Sequence, residues 1–509
     1  MHFEKTKDWM LHPHKAYAAF SMKREERNAR CAHCLRHDEN NIVSIMNLEG
    51  NIAPELQDHK VYNKSCDQWA FAWEVTGVSK MGRFDIKTIK AREVLDCRGN
   101  PTVEVDIITE AGVLGRADVP AGRSRGKHEA LELRDGGSRY AGMGVFRALK
   151  NVNEVIYPKL KGMDVRKQKE IDIAMIQLDG TENKSKLGGN AIVGVSLAVA
   201  RAAANASGVP LYQSIGGLDA CVLPVPVLDL IEGGLLAASD LDFQEHQVIP
   251  VGSKSFSDAI RMGMEVYNEL GKILAEKWGK HSLNVGVEGG YTPLGMKDPR
   301  EAFDAELKAV EEIGYGDDFV LSLDVAASHL YDRKTGKYTL MGKKITKEEL
   351  MDFFEDLVSA YPVQSIEDPL EEEDFDGHAE LAKTLKIQIV GDDLFVTNMK
   401  RLEKGIAMGA ANALLLKVNQ IGTLSEALDA AQLCFKNGYG VQVSERSGQT
   451  EDTWLADLTV GLNAGQIKTG VTRSERTAQY NQLFRIEEEL GSKAKYAGRN
   501  FRQPFQMAT

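Results

Sequence analysis

The segment that decides the fold is Leu414-Leu-Leu-Lys417-Val-Asn-Gln420, a short apolar run closed by a single lysine. A strand that is buried on both faces has a continuous apolar sequence. A lysine at the end of such a strand is costly to bury, so it is paired, desolvated or chemically active, unless its side chain extends outward to solvent. The segment therefore predicts a buried strand whose carboxyl end carries a candidate functional lysine, Lys417.

Three apolar runs upstream are also short and end in charged residues, which in each case are acidic. They are residues 319–324, 362–368 and 387–393, which end at or just after Asp324, Glu367 and Asp392. Acids and lysines at the carboxyl ends of successive parallel strands build the active site of a (β/α)8 barrel. Carboxylate oxygens are the ligands that Mg²⁺ prefers, so the three acids are candidate Mg²⁺ ligands.

A second lysine follows in the segment Gly465-Gln-Ile-Lys468-Thr-Gly470, where we expect a short apolar turn. Beside a divalent cation, the amines of Lys417 and Lys468 are expected to have depressed pKa values. A lysine with a depressed pKa serves as a general base. The two lysines and three acids together predict a site that removes a proton with the help of a metal ion.

Several long motifs resemble those of the enolase (phosphopyruvate hydratase) family and occur in that family's order. They are SLDVAAS (322–328), SIEDPLEEED (365–374), GDDLFVTN (391–398), LLLKVNQIGTLSEAL (414–428), RSGQTEDT (446–453) and GQIKTG (465–470). The resemblance extends from about Gly82 to about Gly498. It implies an α/β fold, with an N-terminal α+β capping domain over residues 82–220. An enolase-type (β/α)8 barrel, beginning ββαα, is expected over residues 221–509.

The same resemblance implies the reaction and the role of each site residue. A Mg²⁺-dependent lyase of glycolysis and gluconeogenesis would remove the alpha proton of 2-phosphoglycerate and eliminate water to give phosphoenolpyruvate. By resemblance, Lys417 takes the proton, Lys468 lies by the substrate carboxylate, and Glu245 and Glu288 assist the departing hydroxide. The other implied residues bind ions or phosphate: Asp324, Glu367 and Asp392 for the first Mg²⁺, Ser124 for the second, and Arg446 and Ser447 for the phosphate.

Two positions depart from the family's motifs at places where a histidine is usual. Leu236 replaces one, Glu445 replaces the other, and Gln449 replaces an acid nearby. A carboxylate about 4 Å from a phosphate oxygen repels it by roughly 4 kcal/mol per unit charge pair at an effective dielectric of about 20. We expect Glu445 to avoid this repulsion through protonation, or through pairing with Arg446 or with Arg123 or Arg125 of the loop that carries Ser124.

Three functions are compatible with these departures. The first is an enolase with a changed phosphate pocket. The second is a paralogue for another anionic substrate, such as a phosphonate-type enolpyruvate made by a carboxyphosphonoenolpyruvate synthase-like enzyme. The third is a non-catalytic binding protein with the enolase fold, which the presence of all three metal carboxylates and both lysines disfavours.

Composition limits the partners and the cellular setting. The net charge of −12 disfavours a nucleic-acid partner, and no apolar run of 18 residues indicates a membrane span. The N-terminus lacks a signal-peptide core, and six cysteines in 509 residues do not form a disulfide framework. We expect a cytoplasmic protein, and the family suggests a homodimer or larger homo-oligomer.

Residues 1–81 differ in composition from the rest of the chain. Cys31, Cys34, His37 and Cys66 have zinc-like spacing, although the second half of a zinc ribbon is missing. The alternative is a start assigned too early or a poorly ordered extension, because the family resemblance begins just after Met81.

Overall fold

The structure is a computed structural model, and it describes residues 82–122 and 126–503. The candidate zinc ligands Cys31, Cys34, His37 and Cys66 lie outside the described residues, as do Arg123, Ser124 and Arg125. The described chain has two parts, an N-terminal α+β part and a barrel, in the order predicted from the sequence.

The N-terminal part contains an antiparallel sheet that is formed by β1 (Ile86–Leu95), β2 (Pro101–Thr109) and β3 (Leu114–Asp118). Strands β2 and β3 are adjacent in sequence and pair in antiparallel register, so they form a hairpin. Val103, Val105 and Ile107 alternate along β2 and are fully buried, because alternate side chains of a strand share one face. This apolar face packs against helices.

The helices of this part are α1 (Phe146–Asn151), α2 (Tyr157–Leu160), α3 (Gln168–Asp179), α4 (Gly189–Ser207) and α5 (Leu211–Gly216). A π-helical turn, Val152–Ile156, joins α1 to α2. Helix α4 is buried along most of its length. Gly115 of β3 permits its close approach, since an added Cβ atom would lie 2.3 Å from the Ala198 carbonyl oxygen.

Among the described helices, no single one combines the length and hydropathy needed to cross a membrane. The segments Gly189–Ser207 and Leu211–Asp219 reach that length and hydropathy only when they are taken together, and the chain bends by 98° between them. The apolar side chains of α4 are accounted for by their burial in the core.

The second part is a closed eight-stranded barrel. The strands after β3 are β4 (Val222–Leu223), β5 (Val225–Glu232), β6 (Glu245–Ile249), β7 (Val320–Asp324), β8 (Tyr331–Asp332), β9 (Lys337–Leu340), β10 (Lys343–Ile345), β11 (Val363–Glu367), β12 (Gln388–Gly391), β13 (Ala413–Leu416), β14 (Gly440–Ser444), β15 (Gly465–Lys468) and β16 (Lys495–Tyr496). The barrel order is β11-β12-β13-β14-β15-β5-β6-β7. Strand β6 is antiparallel to both neighbours, whereas the other barrel strands are parallel.

The helices of the barrel part are α6 (Phe256–Trp278), α7 (Pro299–Ile313), α8 (Lys347–Ala360), α9 (Phe375–Leu385), α10 (Met399–Met408), α11 (Val418–Ile421), α12 (Leu424–Lys436), α13 (Trp454–Gly461) and α14 (Ser474–Leu490). Two long helices, α6 and α7, follow the β5–β6 pair, which confirms the ββαα beginning. Thr346 and Glu349 form a capping box that begins α8. Short 3₁₀ turns occur at Arg139–Gly142, Gly217–Asp219, Lys280–Leu283, Gly316–Asp318, Ala327–His329, Gly491–Lys493 and Gly498–Asn500.

One local prediction was wrong, because residues 465–468 form barrel strand β15 rather than a turn. The polar residue Gln466 does not interrupt the strand, since its side-chain amide pairs with that of Gln388 inside the barrel at 2.8 and 3.0 Å. A buried amide that is fully hydrogen-bonded in this way is compatible with a barrel interior. Lys468 therefore ends a strand, as Lys417 directly follows one.

Candidate active site

The strand register places a row of acids at the carboxyl edge of the barrel. Glu232 at the end of β5 pairs with Glu245, which pairs with Asp324 at the end of β7. Asp324 in turn pairs with Glu367 at the end of β11. Glu245 belongs to this row although it begins its strand, because β6 runs antiparallel to its neighbours.

Lys468 lies in the middle of this acidic row. Its Nζ atom lies 2.7 Å from Glu367 Oε2, 2.8 Å from Asp324 Oδ2 and 3.2 Å from Glu245 Oε1. Burial lowers the pKa of Lys468, but the three carboxylates outweigh burial and raise that pKa well above its ordinary value. The amine is therefore a fixed positive charge in this arrangement.

Lys417 makes a separate contact with the third predicted metal ligand. Its Nζ atom lies 2.6 Å from Asp392 Oδ2, and Gln420 Nε2 donates to Asp392 Oδ1 at 2.7 Å. Burial lowers the pKa of Lys417, and the charge of Asp392 more than compensates, so the pKa is raised. The expected depression of both lysine pKa values is not met here, because that expectation depended on a cation in place of these carboxylate contacts.

Carboxylate oxygens come close enough to share an ion in two places among the described residues. The two groups, each with ligand atoms within 4.8 Å of one another, are Asp229, Glu245 and Glu288, and Asp368, Asp392 and Asp393. The predicted trio Asp324, Glu367 and Asp392 is not one of these groups, since Lys468 bridges the first two and Lys417 holds the third. All of these donors are oxygen atoms, which fits a hard divalent cation.

The loop that carries Glu288 is held against the end of β5. Glu232 Oε1 accepts hydrogen bonds from the backbone N–H groups of Glu288 at 2.9 Å and Gly290 at 2.8 Å. Glu245 Oε2 accepts from Gln247 Nε2 at 2.7 Å, and burial raises the pKa of Glu245 well above its ordinary value. The two acids assigned to hydroxide departure thus lie on the same side of the barrel mouth as Lys468.

The predicted phosphate ligands are adjacent and engaged with other residues. Arg446 is buried and paired with Glu129, whose Oε2 and Oε1 atoms lie 2.9 and 3.2 Å from the guanidinium nitrogens. Ser447 Oγ accepts a hydrogen bond from Arg98 Nη1 at 3.1 Å. A substrate anion at this position would compete with Glu129 for Arg446.

Glu445 has a partner that the sequence analysis did not consider. Its Oε2 atom lies 2.5 Å from Arg476 Nη1 and accepts from Thr469 Oγ1 at 2.8 Å. The predicted pairing with Arg446 is wrong, because Arg446 binds Glu129 instead. Burial raises the pKa of Glu445 to about 8, against the opposing effect of Arg476. This supports the protonation that the sequence analysis named as its alternative.

The two other departures from the family's motifs are also buried. Leu236 is 4% exposed and lines the same cavity as Glu445. Gln449 is 1% exposed, and its side-chain amide has no hydrogen-bond partner within the described part of the chain. An apolar side chain and a neutral amide thus stand where the family's motifs carry a histidine and an acid.

One cavity at the barrel mouth unites most of the predicted site residues. Those that line it are Glu245, Glu288, Asp324, Asp392, Lys417, Arg446, Ser447 and Lys468. Glu367 is not one of the lining residues and contacts Lys468, which is. Ser124 belongs to the part of the chain that the structure does not describe.

Sequence reasoning missed four residues that hold the site together. Gln244 donates to Asp324 at 3.0 Å, and it stands directly before Glu245 in the same motif. Gln420, which binds Asp392, lies three positions after Lys417 in the segment Leu414–Gln420. Proximity in sequence to an assigned residue could have found both. Glu129 is 317 positions from Arg446, and Arg476 is 31 positions from Glu445, so no local pattern marks either residue.

Comparison with known proteins gives matches along most of the chain. The family model described as "Enolase, N-terminal domain" matches residues 86–215, and "Enolase, C-terminal TIM barrel domain" matches residues 220–505. An enolase of Methanocaldococcus jannaschii is 60% identical over 424 residues, which are 83% of this chain and 99% of that protein. An enolase of Pyrococcus furiosus is 59% identical over 427 residues, again 83% and 99% of the two chains.

Proposed function

Because this chain belongs to the enolase family and is an enzyme, we propose that it interconverts 2-phosphoglycerate and phosphoenolpyruvate with Mg²⁺. The observation that carries the proposal is the position of Lys417 and Lys468, two amines held by acids in one cavity at the carboxyl edge of the barrel. This edge is where barrel enzymes place their catalytic groups. The reaction is an elimination, so the enzyme would act as a lyase in glycolysis and gluconeogenesis.

The difficult step is removal of a proton from carbon next to a carboxylate, because the product concentrates negative charge. Enolase-superfamily sites meet this difficulty with a lysine or histidine base and one or two Mg²⁺ ions. Asp324, Glu367 and Asp392 are the proposed ligands, with Ser124 for a second ion. Bound Mg²⁺ supplies positive charge that stabilises the carboxylate-centred anion.

Lys417 is the proposed base, and its contacts indicate how the protonation state of its amine is controlled. The amine is held at 2.6 Å by Asp392, which keeps it charged in the arrangement described. Withdrawal of Asp392 from Lys417 would lower the pKa of the amine, since burial is then the largest remaining influence on it. The same carboxylate thus connects ion binding with the basicity of Lys417.

Glu245 and Glu288 are the proposed proton donors to the departing hydroxide. Burial favours the neutral form of Glu245, and a neutral carboxyl group can donate a proton. Lys468 lies between Glu245 and the acids of the metal row, where its charge would attract the substrate carboxylate. Arg446 and Ser447 would take the phosphate, with Arg446 offering a fork-shaped donor.

A second candidate is a paralogue that acts on another anionic substrate, such as a phosphonate-type enolpyruvate. Leu236 and Glu445 favour it, because both line the cavity and neither offers a cation to a phosphate. The deciding experiment is a spectrophotometric assay of phosphoenolpyruvate formation from 2-phosphoglycerate with Mg²⁺. Turnover by the wild-type enzyme supports the first candidate. Absent turnover that Leu236→His with Glu445→His restores would overturn the first candidate in favour of the second.

The cellular setting is part of the same proposal. We infer a cytoplasmic homodimer or larger homo-oligomer with no nucleic-acid or membrane partner, supported by the negative charge and the low cysteine content. Sedimentation analysis of the purified chain tests the oligomeric state. A variant that begins at Met81 tests residues 1–80, and unchanged activity and stability would mean that the enzyme does not need them.

A further inference from the structure

The loop over residues 284–292 carries Glu288, and two N–H groups of its turn point at the side chain of Glu232. We propose that Glu232 is a positioning residue for the elimination step, which acts by fixing the place of the Glu288 carboxyl group in the cavity. The inference rests on the proposed function, because it assigns a kinetic consequence to the proton donor named there. Glu232 itself is not one of the residues that line the cavity.

The turn in this loop is closed on itself, and its inner N–H groups share one acceptor. The N–H of Gly286 donates to the Gly290 carbonyl oxygen at 2.9 Å, which closes the turn. Inside it, the N–H groups of Glu288 and Gly290 both donate to Glu232 Oε1, at 2.9 and 2.8 Å. A single side-chain oxygen therefore holds Glu288 and the residue two positions after it.

The packing between Glu232 and the loop is close. Glu232 is fully buried, and its other oxygen, Oε2, lies against Gly286, where an added Cβ atom would approach it to 2.1 Å. The strand also holds the backbone just after the turn, since Tyr291 N–H donates to the Leu230 carbonyl at 2.8 Å and Glu232 N–H donates to the Tyr291 carbonyl at 2.9 Å. The side chain and the backbone of Glu232 thus fix the same loop to the end of β5.

Glu288 depends on its backbone for its position. The hydrogen bonds found for it within the described chain involve its N–H, which donates to Glu232, and its carbonyl, which accepts from the Val471 N–H at 3.1 Å. Its side chain lines the cavity. A proton donor must lie within hydrogen-bond reach of the departing hydroxide, and a displacement of about 1 Å can cost about a hundredfold in rate. Loosening of the loop would therefore slow this proton transfer.

The proposed base is held by other elements. Lys417 directly follows β13, and its amine lies 2.6 Å from Asp392. Neither of these features involves the loop of Glu288. Loss of the Glu232 acceptor is therefore expected to slow elimination and to leave removal of the alpha proton nearly unchanged, whereas a general loss of folded structure would slow both steps together.

The test compares two rates in the enzyme with Mg²⁺ and 2-phosphoglycerate. Exchange of the alpha hydrogen with solvent deuterium is followed by NMR, and formation of phosphoenolpyruvate is followed by absorbance. Glu232→Met keeps roughly the length of the side chain and removes the acceptor. We expect elimination to fall about a hundredfold, within the range that a general acid contributes, and exchange to fall by less than about twofold.

Three further variants define the cause of such a loss. Glu232→Gln can accept both N–H groups with its amide oxygen, and burial raises the pKa of Glu232 to about 8, so the native side chain is also neutral at neutral pH. This variant is expected to eliminate at nearly the wild-type rate. Added to Glu288→Gln, Glu232→Met should cause no further loss, because it acts through Glu288. Glu306→Met is the matched control, since it changes a buried acid of α7 outside the site and should leave both rates unchanged.

Unchanged elimination in folded Glu232→Met, an equal loss of both rates, or a further loss in the double variant would overturn the inference. If Glu232→Met does not fold, Glu232→Asp takes its place, because its shorter side chain withdraws the acceptor from both N–H groups. Hydrogen–deuterium exchange mass spectrometry of residues 286–291 adds a readout that needs no turnover. These amides should exchange faster in the Met variant than in the wild type or Glu232→Gln, and equal protection would contradict the inference. A wild type that neither exchanges nor eliminates would instead refute the proposed function, while amide protection still decides whether Glu232 holds the loop.

Discussion

Arg476 Nη1 lies 2.5 Å from Glu445 Oε2, and both side chains are buried. Glu445 also lines the cavity at the barrel mouth. Thr469 Oγ1 donates to the same carboxylate oxygen, whereas Glu445 Oε1 is buried without a hydrogen-bond partner in the described chain. The pair fixes an acid next to Arg446 and Ser447, where the substrate phosphate is proposed to bind. The charge of Glu445 therefore controls the affinity for an anionic substrate.

This relationship predicts a KM that depends on pH. Burial raises the pKa of Glu445 to about 8, so the side chain is neutral below that pH and becomes an anion above it. The charge of Arg476 offsets part of the repulsion between ionised Glu445 and the substrate phosphate. We therefore expect the KM for 2-phosphoglycerate to rise about tenfold above pH 8, which corresponds to a loss of roughly 1.4 kcal/mol in binding free energy. Steady-state kinetics across pH 6.5–9.5, a range of about 1.5 pH units to either side of 8, measure the rise.

Glu445→Gln is the matched variant for that experiment, since it keeps the shape and removes the titrating charge. Its KM is expected to stay level across the same pH range. A wild-type KM that does not change between pH 7 and 9, in the range where a group with a pKa of about 8 titrates, would show that Glu445 does not act on the substrate.

Removal of Lys468 is expected to destabilise the protein and to make its stability depend on Mg²⁺. Lys468→Met leaves Asp324, Glu367 and Glu245 without the amine that they share. Breaking a buried ion pair by removing one partner costs about 3–5 kcal/mol. Denaturant unfolding should show this loss without metal and a partial recovery with Mg²⁺. If the variant and the wild type are equally stable without metal, the Lys468 amine does not stabilise the acids that it contacts.

Glu306 offers a stability prediction away from the active site. It lies in α7, is fully buried, and neither of its carboxylate oxygens has a hydrogen-bond partner among the described residues. Burial raises its pKa well above the ordinary value. We expect Glu306→Met to increase the free energy of unfolding by about 1–3 kcal/mol at neutral pH, because an unsatisfied buried group is removed.

The pH dependence of that difference follows from the direction of the pKa shift. The carboxyl group is neutral in the folded protein, whereas in the unfolded chain it ionises above about pH 4.5. The wild type therefore loses stability as pH rises from that value toward the folded-state pKa. The advantage of Glu306→Met should grow from pH 5 to pH 8. Calorimetric unfolding at both values measures it, and a difference that shrinks with pH would contradict the assignment.

Metal binding is expected to raise thermal stability, because the acids at the barrel mouth are brought together only in the folded chain. Mg²⁺ at about 100 times its Kd would add about 2.7 kcal/mol to the free energy of unfolding. Thermal melts with Mg²⁺ and with a chelator measure this difference. Asp392→Asn should lose part of the Mg²⁺-dependent increase. A wild-type melting temperature that is the same in Mg²⁺ and in chelator would argue against a metal site here.

The fold was predictable because apolar runs and strand-end acids mark the barrel strands directly. Residues 319–324, 362–368, 387–393 and 414–417 correspond to β7, β11, β12 and β13, and the fold class is confirmed. Strand β15 was missed, since Gln466 looks like a turn residue until its amide partner Gln388 is known. That partner is 78 positions away, so no local pattern could have identified it.

The sequence predicts which residues form the site but not which of them contact one another. Lys417 directly follows its strand as expected, whereas Lys468 ends a strand where a turn was expected. The acids that each lysine contacts depend on the strand order and on the antiparallel direction of β6. The Glu445–Arg476 pair joins a strand end to α14 across the barrel mouth, and its partner choice is set by burial rather than by sequence spacing. Long-range contacts of this kind need the three-dimensional structure.

The most direct test of the central claim is the exchange of the alpha hydrogen of 2-phosphoglycerate with solvent deuterium, measured by NMR. With Mg²⁺ the wild-type enzyme is expected to exchange this hydrogen, and Lys417→Met should slow exchange about a thousandfold, within the range that a general base contributes. Lys400→Met is the control, because the amine of this exposed lysine forms a surface salt bridge with Glu182. Exchange at the wild-type rate in a folded, Mg²⁺-binding Lys417→Met enzyme would contradict the assignment of Lys417 as the base.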